Sequence, residues 1–306
     1  MRGYFRKRLL HAIPVAFGVV TVVFFLLHMI PGDPVEIMLG ESAMPALKEE
    51  LRRELHLDRP ILVQYGEFLA GLPRGDLGTS FRSREPVFRE ITRRFPATLL
   101  LASTSITVAI LVAFPLGILS AMRRGKAADY VSGFAAMLSL SIPNFLLGPL
   151  LVLAFSIQLG LLPVSGYGTA RHLVLPAVTL GTGMAALLTR MIRATLLEEL
   201  NKEYVTAATA RGLSRWAAVA LHALRNALVP AITVLGLSFG AVLAGSVIAE
   251  TVFSWPGIGR LLIQAIDARD YPLVQGCVLV IALCTVLVNL LTDLLCARLD
   301  PRIRYE

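Results

Sequence analysis

Residues 271–292 read YPLVQGCVLVIALCTVLVNLLT, a stretch of 22 residues that holds no Asp, Glu, Lys or Arg. A helix needs about 20 apolar residues to cross the hydrocarbon core of a bilayer, so this stretch predicts a membrane span. The whole chain agrees, because 56% of its 306 residues are hydrophobic and only 16% are charged, with a mean hydropathy of +0.70. A soluble domain carries about 25% charged residues. The sequence therefore predicts an all-α protein embedded in a membrane.

Five further stretches have the same character. They are Leu9–Met29, Phe95–Met122, Val131–Leu159, His172–Thr189 and Asn226–Ala249. Prolines within them do not exclude helices, because neighbouring helices can satisfy the freed backbone groups. The first stretch follows a basic start, but it is long and is followed by Pro31-Gly32-Asp33-Pro34, not by a cleavage signature. We expect a retained anchor there and six transmembrane helices in all.

The basic residues predict the orientation of these spans. Sixteen of the 29 Lys and Arg residues lie at the N-terminus, after the second span, after the fourth span and at the C-terminus. The opposite short loops carry three, and the other ten lie in the long segment between Lys48 and Arg94. Because cytoplasmic loops are enriched in Lys and Arg, both termini are expected in the cytoplasm. The net charge of +8 then indicates membrane topology and not nucleic-acid binding.

Residues 31–94 are expected to form an extracytoplasmic cap between 1–30, which hold the N-terminus and first span, and 95–306, which hold the other five spans. Helical spacing appears in Pro45–Leu57 and Ile61–Leu72, and an amphipathic Pro86–Arg94 leads into the second span.

The cytoplasmic loop 198–228 is too long to be a mere connector. Its composition predicts a helix over 203–211, a left-handed stop at Gly212 and a second helix that starts at Leu213-Ser214, with Ser214 as N-cap, and runs to about Leu228. Small side chains would let another backbone approach, beside polar side chains that could bind it. The small residues are Ala207, Ala208 and Ala210, and the polar ones are Glu203, Tyr204 and Arg211.

At this loop the chain resembles the permease subunits of ABC importers, and more narrowly those of the dipeptide, oligopeptide and nickel type. The match runs over Glu203-Tyr204-Val205, the alanines, Arg211-Gly212-Leu213-Ser214 and then His222 to Pro230. Other blocks agree: Pro31–Pro34, Gly75–Gly78, Trp255–Arg260, Arg269–Pro272 and Leu299–Tyr305. Thr206 stands where the general family pattern has an acid, so a salt bridge from that position is not assumed.

The resemblance implies a type I importer permease that forms half of a translocation pathway for di- or oligopeptides, or alternatively for glutathione or nickel complexes. It implies a paralogous permease, two cytoplasmic ATP-binding subunits and an extracytoplasmic solute-binding protein as partners in a bacterial inner membrane. The residues that would then couple transport to the ATPase are Glu203, Tyr204, Ala207, Ala208, Ala210, Arg211, Gly212 and Leu213. ATP and Mg²⁺ would be bound by the partners, so no cofactor is expected in this chain.

Four residues are candidates for the translocation pathway: Pro143, Asn144, Gly240 and Glu250. Each has a simpler alternative. Pro143-Asn144 could be a packing kink, and Gly236-x-x-x-Gly240 could serve close helix packing. Glu250, near the outer end of its span, could be functional or interfacial.

Other classes of function lack their motifs. A phosphate-binding loop needs G-x-x-x-x-G-K-[ST], and the Gly125-Lys126 pair does not satisfy it. No catalytic residue and no metal site is expected. An intramembrane enzyme or a secondary transporter remains the alternative of a different class.

Overall fold

The computed structural model describes residues 2–30, 32–40 and 42–299, and within these ranges the backbone forms helices and turns, apart from one isolated β-bridge between Thr79 and Pro86. In chain order the first helices are α1 (Arg2–Met29), α2 (Pro34–Leu39), α3 (Pro45–Glu54), α4 (Ile61–Gly71), α5 (Val87–Met122), α6 (Ala127–Ser141) and α7 (Asn144–Leu151). The others are α8 (Ala170–Leu200), α9 (Glu203–Ala210), α10 (Arg215–Ala218), α11 (Leu224–Val252), α12 (Ile258–Asp267) and α13 (Tyr271–Leu299). A 3₁₀ turn, Leu72–Arg74, follows α4, and π-helical segments follow α7 (Val152–Gln158) and α10 (Val219–Ala223).

Within the described residues, four helices are long and apolar enough to cross a membrane, and each contains or overlaps a predicted span. They are α5, α8, the Asn226–Leu243 part of α11 and the Tyr271–Cys296 part of α13. The apolar part of α1 that the structure describes, Ile13–Met29, is shorter than the about 20 residues that a span needs. The second, fourth, fifth and sixth predicted spans are confirmed, and the total of six stays a prediction.

The third predicted span is not one straight helix. The pair formed by 127–141 and 144–158 is bent by 104° at Ile142-Pro143. Proline restricts the residue before it to extended conformations, and Ile142 has φ −93° and ψ 113°. Pro143 itself precedes the first turn of α7. Pro143 therefore accounts for the position of the break, and the two halves form either one broken span or a re-entrant loop.

The chain divides into two compact units. The first comprises Met1–Leu99 and Pro256–Cys284, and the second comprises Leu100–Trp255 and Thr285–Glu306. The predicted helices of the 31–94 segment are present as α3, α4 and the first turns of α5. The sequence interpretation missed two short helices of the first unit, α2 and α12.

The first unit has its own apolar core. Four helices contribute buried side chains to it: Val20 and Leu27 from α1, Val87 and Ile91 from α5, Leu261 from α12, and Val274 and Cys277 from α13. Asp270, just before α13, is buried and accepts hydrogen bonds from the Ser80 hydroxyl at 2.5 Å and the Arg82 backbone N–H at 3.2 Å. This carboxylate ties the 80–82 loop to the start of α13.

In the second unit, glycines let helices approach closely. A Cβ at Gly236 of α11 would overlap the side chain of Thr292 in α13. At Gly117 in α5 it would lie 2.9 Å from the Ile192 side chain in α8. Small residues at such positions are typical of helix contacts in membranes. The packing interpretation of the Gly236–Gly240 motif fits this arrangement.

Candidate coupling site

The segment that joins α8 to α11 is organised around the carboxylate of Glu199. This side chain is buried near the end of α8, and it accepts hydrogen bonds from Lys202 Nζ at 2.5 Å, from the Tyr204 hydroxyl and from Asn226 Nδ2 at 3.2 Å. Asn226 Nδ2 also lies 3.0 Å from the Tyr204 hydroxyl. A buried charge is stable only when it is paired and hydrogen-bonded. These contacts supply the partners, and they join α8, α9 and α11.

The same contacts set the ionisation of two side chains outside the membrane spans. Burial raises the pKa of the Tyr204 hydroxyl, and the neighbouring Glu199 carboxylate raises it further. The hydrogen bond to Glu199 raises the pKa of Lys202. At neutral pH Tyr204 is thus a neutral hydrogen-bond donor and Lys202 is a cation. Both can therefore donate to an ionised Glu199 carboxylate.

An apolar contact fixes the inner side of α9. Val205 is buried in a cluster with Leu196 of α8, Val219 and Ala223 of the π-helical segment, and Ala227 of α11. Val205 is the one buried residue among the eight of α9. The opposite face of the helix is exposed to solvent. The packing of Val205 and the hydrogen bonds of Glu199 near the start of the helix together fix the position of α9.

The outer face of α9 has low relief. Glu203, Ala207, Ala210 and Arg211 are exposed, while Ala208 is half-buried. Between Glu203 and Arg211 this face presents the methyl groups of Ala207 and Ala210, to which another backbone could approach closely, with the exposed Thr206 and Thr209 beside them. We call Glu203, Ala207, Ala210 and Arg211 the α9 surface.

The turn after α9 is as predicted. Gly212 has φ +93°, a left-handed conformation that glycine adopts without strain. The Ser214 hydroxyl accepts a hydrogen bond from the Ala217 backbone N–H at 3.2 Å and so caps α10. The helix–glycine–helix prediction is confirmed, and Leu213 lies half-buried in the turn.

The predicted end of the second helix near Leu228 is wrong. α10, the π-helical segment and α11 follow one another without a break from Arg215 to Val252, and Pro230 lies inside α11. Proline removes only one backbone hydrogen bond, which a membrane helix tolerates when its neighbours compensate.

The structure gives Tyr204 a different setting from the one expected. Its hydroxyl points to Glu199 and Asn226, so it anchors α9 more directly than it offers a polar group to a partner. Sequence reasoning missed Glu199, Asn226 and Val205. The adjacent acids Glu198-Glu199 at the end of an apolar helix were a usable signal, because an acid there needs a nearby donor.

A second polar cluster, also missed, lies in the same unit. Asp129 at the start of α6 is buried and accepts hydrogen bonds from Arg193 of α8, from the Ser120 hydroxyl at 2.5 Å and from the Gly125 backbone N–H at 3.0 Å. The sequence analysis counted Arg193 only as a basic residue near a span end. Its spacing from Asp129, 64 positions away, gave no local signal.

The four pathway candidates lie in separate places. Pro143 and Asn144 are exposed at the bend between α6 and α7. A Cβ at Gly240 would lie 3.2 Å from Thr285 Cγ2 of α13. Glu250 is fully buried in the last turns of α11 and accepts a hydrogen bond from the Ser246 hydroxyl at 3.1 Å. Their assignment to a pathway stays a prediction.

The described residues contain no group of three or more His, Cys, Asp and Glu side chains that could hold a metal ion.

Comparison with known families gives matches over nearly the whole chain. Residues 113–305 match the family described as "Binding-protein-dependent transport system inner membrane component", and residues 1–102 match the corresponding N-terminal family. The chain is 42% identical over 306 residues to the glutathione transport system permease protein GsiC of Pectobacterium atrosepticum. It is 41% identical to the protein of the same name from Escherichia coli K12, and both matches cover 100% of each chain.

Solved structures share the fold. A chain of the MetNI methionine ABC transporter in an inward-facing conformation aligns with a TM-score of 0.58 and 20% identity, over 69% of this chain and 96% of that one. A chain of an amino acid ABC transporter aligns with a TM-score of 0.52 and 18% identity, over 70% and 94%. The expected all-α, type I importer fold is confirmed.

Proposed function

Since the chain belongs to the family of inner membrane components of binding-protein-dependent transport systems, we propose that it forms half of a glutathione translocation pathway and couples that pathway to a cytoplasmic ATPase. The protein is an ABC importer permease subunit, a multi-pass protein of the bacterial inner membrane.

The α9 surface supports the coupling role. Its exposed alanines allow close backbone approach, while Val205 and the Glu199 hydrogen bonds hold α9 against α8 and α11. A force applied to α9 is therefore transmitted to two membrane helices and is not absorbed by a loose loop. Glu203, Ala207, Ala208, Ala210 and Arg211 would touch the ATPase, while Tyr204, Gly212 and Leu213 would hold the shape of the surface.

Glutathione is the solute that the relatives support. Both relatives named above are glutathione permeases by name and match the chain from end to end. Glutathione was the alternative in the sequence analysis, and the names of the relatives support it better than the di- and oligopeptides expected first. Di- and oligopeptides and nickel complexes are the alternatives.

Uptake measurements test the solute. The chain, expressed with its neighbouring transport genes in a host that lacks its own glutathione importer, is expected to restore uptake of radiolabelled glutathione. Excess unlabelled glutathione should compete, and excess dialanine or nickel–histidine should not. Uptake of labelled dialanine or nickel with no uptake of glutathione would overturn the assignment.

The proposed assembly has four further chains: a paralogous permease, two ATP-binding subunits and an extracytoplasmic solute-binding protein. Purification through a tag on this chain, in mild detergent, should recover an ATPase. Native mass spectrometry of that preparation gives the copy numbers, and a complex without any ATPase would contradict the coupling role.

Both termini are proposed to lie in the cytoplasm, because sixteen basic residues flank the spans on that side and three on the other. Alkaline phosphatase, which is active only outside the cytoplasm, should be inactive when fused to residue 1 and active when inserted in the α3–α4 segment. The reverse pattern would refute this orientation.

A further inference from the structure

The turn between α5 and α6 carries three cations for which the coupling role has no use. Arg123, Arg124 and Lys126 lie within four consecutive positions and are all exposed. The Lys126 backbone N–H donates to the Arg123 carbonyl at 3.0 Å and closes the turn. None of the three cations forms an ion pair with the residues that the structure describes. We call Arg123, Arg124 and Lys126 the basic turn.

A buried carboxylate holds the basic turn without neutralising it. Asp129 is the only acidic residue between positions 91 and 197, and its Oδ2 accepts a hydrogen bond from the Gly125 backbone N–H at 3.0 Å. The charge of Asp129 is already balanced by the paired contacts from Arg193. Like charges so close together repel one another unless a counter-charge lies beside them. The basic turn is therefore complementary to an anion.

An exposed apolar face of α6 begins directly beside the basic turn. Tyr130, Phe134 and Met137 are 68–71% exposed, and their spacing of four and three positions places them on one side of the helix. At Gly133, between them, an added Cβ would meet nothing within 4 Å. This face therefore has a gap, bounded by large apolar side chains, in which a hydrocarbon chain could lie.

The position of these two features in the fold indicates which anion fits. α5 is long and apolar enough to cross a membrane, and it ends at Met122, directly before the basic turn. Lys and Arg residues next to a membrane helix attract anionic lipid headgroups, and aromatic side chains such as Tyr130 favour the same depth. A soluble anion would account for the cations and leave the apolar face unused, whereas a phospholipid has a group for each.

We propose that the basic turn and the adjoining face of α6 bind an acidic phospholipid of the phosphatidylglycerol type. Its phosphate would lie among the side chains of Arg123, Arg124 and Lys126. One acyl chain would pass over Gly133 and pack against Phe134. The site needs neither a transported solute nor the α9 surface, so it goes beyond the proposed transport and coupling roles.

Lipid binding to the purified complex tests this site. The chain, assembled with its partner subunits and freed of lipid in an uncharged detergent, is titrated against phosphatidylglycerol that carries a fluorophore at the end of one acyl chain. Fluorescence anisotropy gives the affinity. Phosphatidylcholine with the same chains and label is the reference, because it has the phosphate but no net charge. Each Lys or Arg near an anionic headgroup contributes a factor of about five, so we expect phosphatidylglycerol to bind about tenfold more tightly.

Removal of the three charges should abolish this preference. In the combined variant Arg123→Gln, Arg124→Gln and Lys126→Gln, we expect the two lipids to bind within about twofold of each other, with phosphatidylcholine unchanged. High salt should reduce the preference of the wild type, which tests the charges without a substitution. Phe134→Asn together with Met137→Asn should weaken both lipids by the same factor, because this face would contact the acyl chain.

A matched control removes three charges elsewhere. Arg74→Gln, Arg82→Gln and Arg89→Gln change exposed side chains of the first unit and lower the net charge equally, so together they should leave the preference intact. Excess inorganic phosphate should not displace the lipid.

Three results would overturn the site. They are equal affinity of the wild type for the two lipids, an equal loss of preference in both triple variants, and displacement of the lipid by inorganic phosphate. A subunit that covered this face of α6 in the complex would produce the first of these results. None of the readouts depends on glutathione uptake, so the lipid site and the transported solute are tested separately.

Discussion

Arg193 of α8 binds Asp129 of α6 through two parallel contacts, from Nε to Oδ1 at 2.6 Å and from Nη2 to Oδ2 at 2.9 Å. Paired contacts of this geometry are the strongest that arginine makes with a carboxylate. The Asp129 side chain is only 9% exposed, so it depends on this partner for its charge.

We expect Arg193→Gln to lower the free energy of unfolding by about 1.5–3 kcal/mol, the usual value of hydrogen bonds to charged groups. Ser120 and Gly125 would still donate to Asp129, which limits the loss. Thermal unfolding of the purified complex in detergent measures it. Arg190→Gln, an exposed change on the same helix, is the control, and an equal effect of both variants would contradict the importance of the pair.

Tyr204→Phe tests the anchor of α9. The variant removes the hydroxyl that donates to Glu199 and lies beside Asn226, so we expect a loss of about 1–2 kcal/mol in unfolding free energy. Because Asn226 depends on the same two groups, Tyr204→Phe and Asn226→Ala should be non-additive in a double-mutant cycle. Tyr130→Phe, at a side chain that is 71% exposed, should have no effect. Additive losses would show that the network is not cooperative.

Ala207→Trp tests the α9 surface as a docking face. Ala207 is exposed, so a large side chain should leave thermal stability unchanged and yet prevent close approach of a partner. We expect solute uptake to fall at least tenfold, and the stimulation of ATP hydrolysis by the loaded binding protein to disappear. Ala207→Ser keeps the surface low and should behave as the wild type. Full uptake by the Trp variant would exclude this face as the contact.

Gly236→Ala tests the contact between α11 and α13. Alanine is favoured over glycine in a helix by about 0.8–1 kcal/mol, but here its Cβ would overlap Thr292. We expect a net loss of stability, restored in part by Thr292→Gly. Gly133→Ala in α6 is expected to raise stability, because nothing lies within 4 Å of the new Cβ. The thermal unfolding midpoints of Gly236→Ala, of its combination with Thr292→Gly and of Gly133→Ala measure these effects. A stabilised Gly236→Ala protein would refute the contact.

The sequence was informative where the determining forces are local. Apolar runs identified the spans in α5, α8, α11 and α13, and the glycine and serine at 212 and 214 identified the turn after α9. Contacts between distant residues left no such pattern. The pair Asp129 and Arg193 and the pair Ser80 and Asp270 look ordinary in sequence, and only folding places them together. The acids at 198 and 199 signalled the need for a donor, but they did not identify Asn226 as that donor.

Proline positions were harder to interpret, because their effect depends on the neighbours. Pro143 accompanies a bend of 104°, whereas Pro230 lies within a helix that continues to Val252. Both residues stand in apolar stretches. The backbone differs between the two sites, because Ile142 before Pro143 is extended, with φ −93° and ψ 113°, whereas Pro230 lies inside α11.

The unbroken helix from Arg215 to Val252 has a mechanical consequence. At 1.5 Å per residue it is roughly 55 Å long, so a tilt of about 5° at one end moves the other by about 5 Å. Near its N-terminal end, Asn226 forms a hydrogen bond with Tyr204, and Val205 packs in the same apolar cluster. Its C-terminal end carries the buried Glu250. A tilt of this helix at the end that contacts α9 would therefore be amplified at the end that carries Glu250.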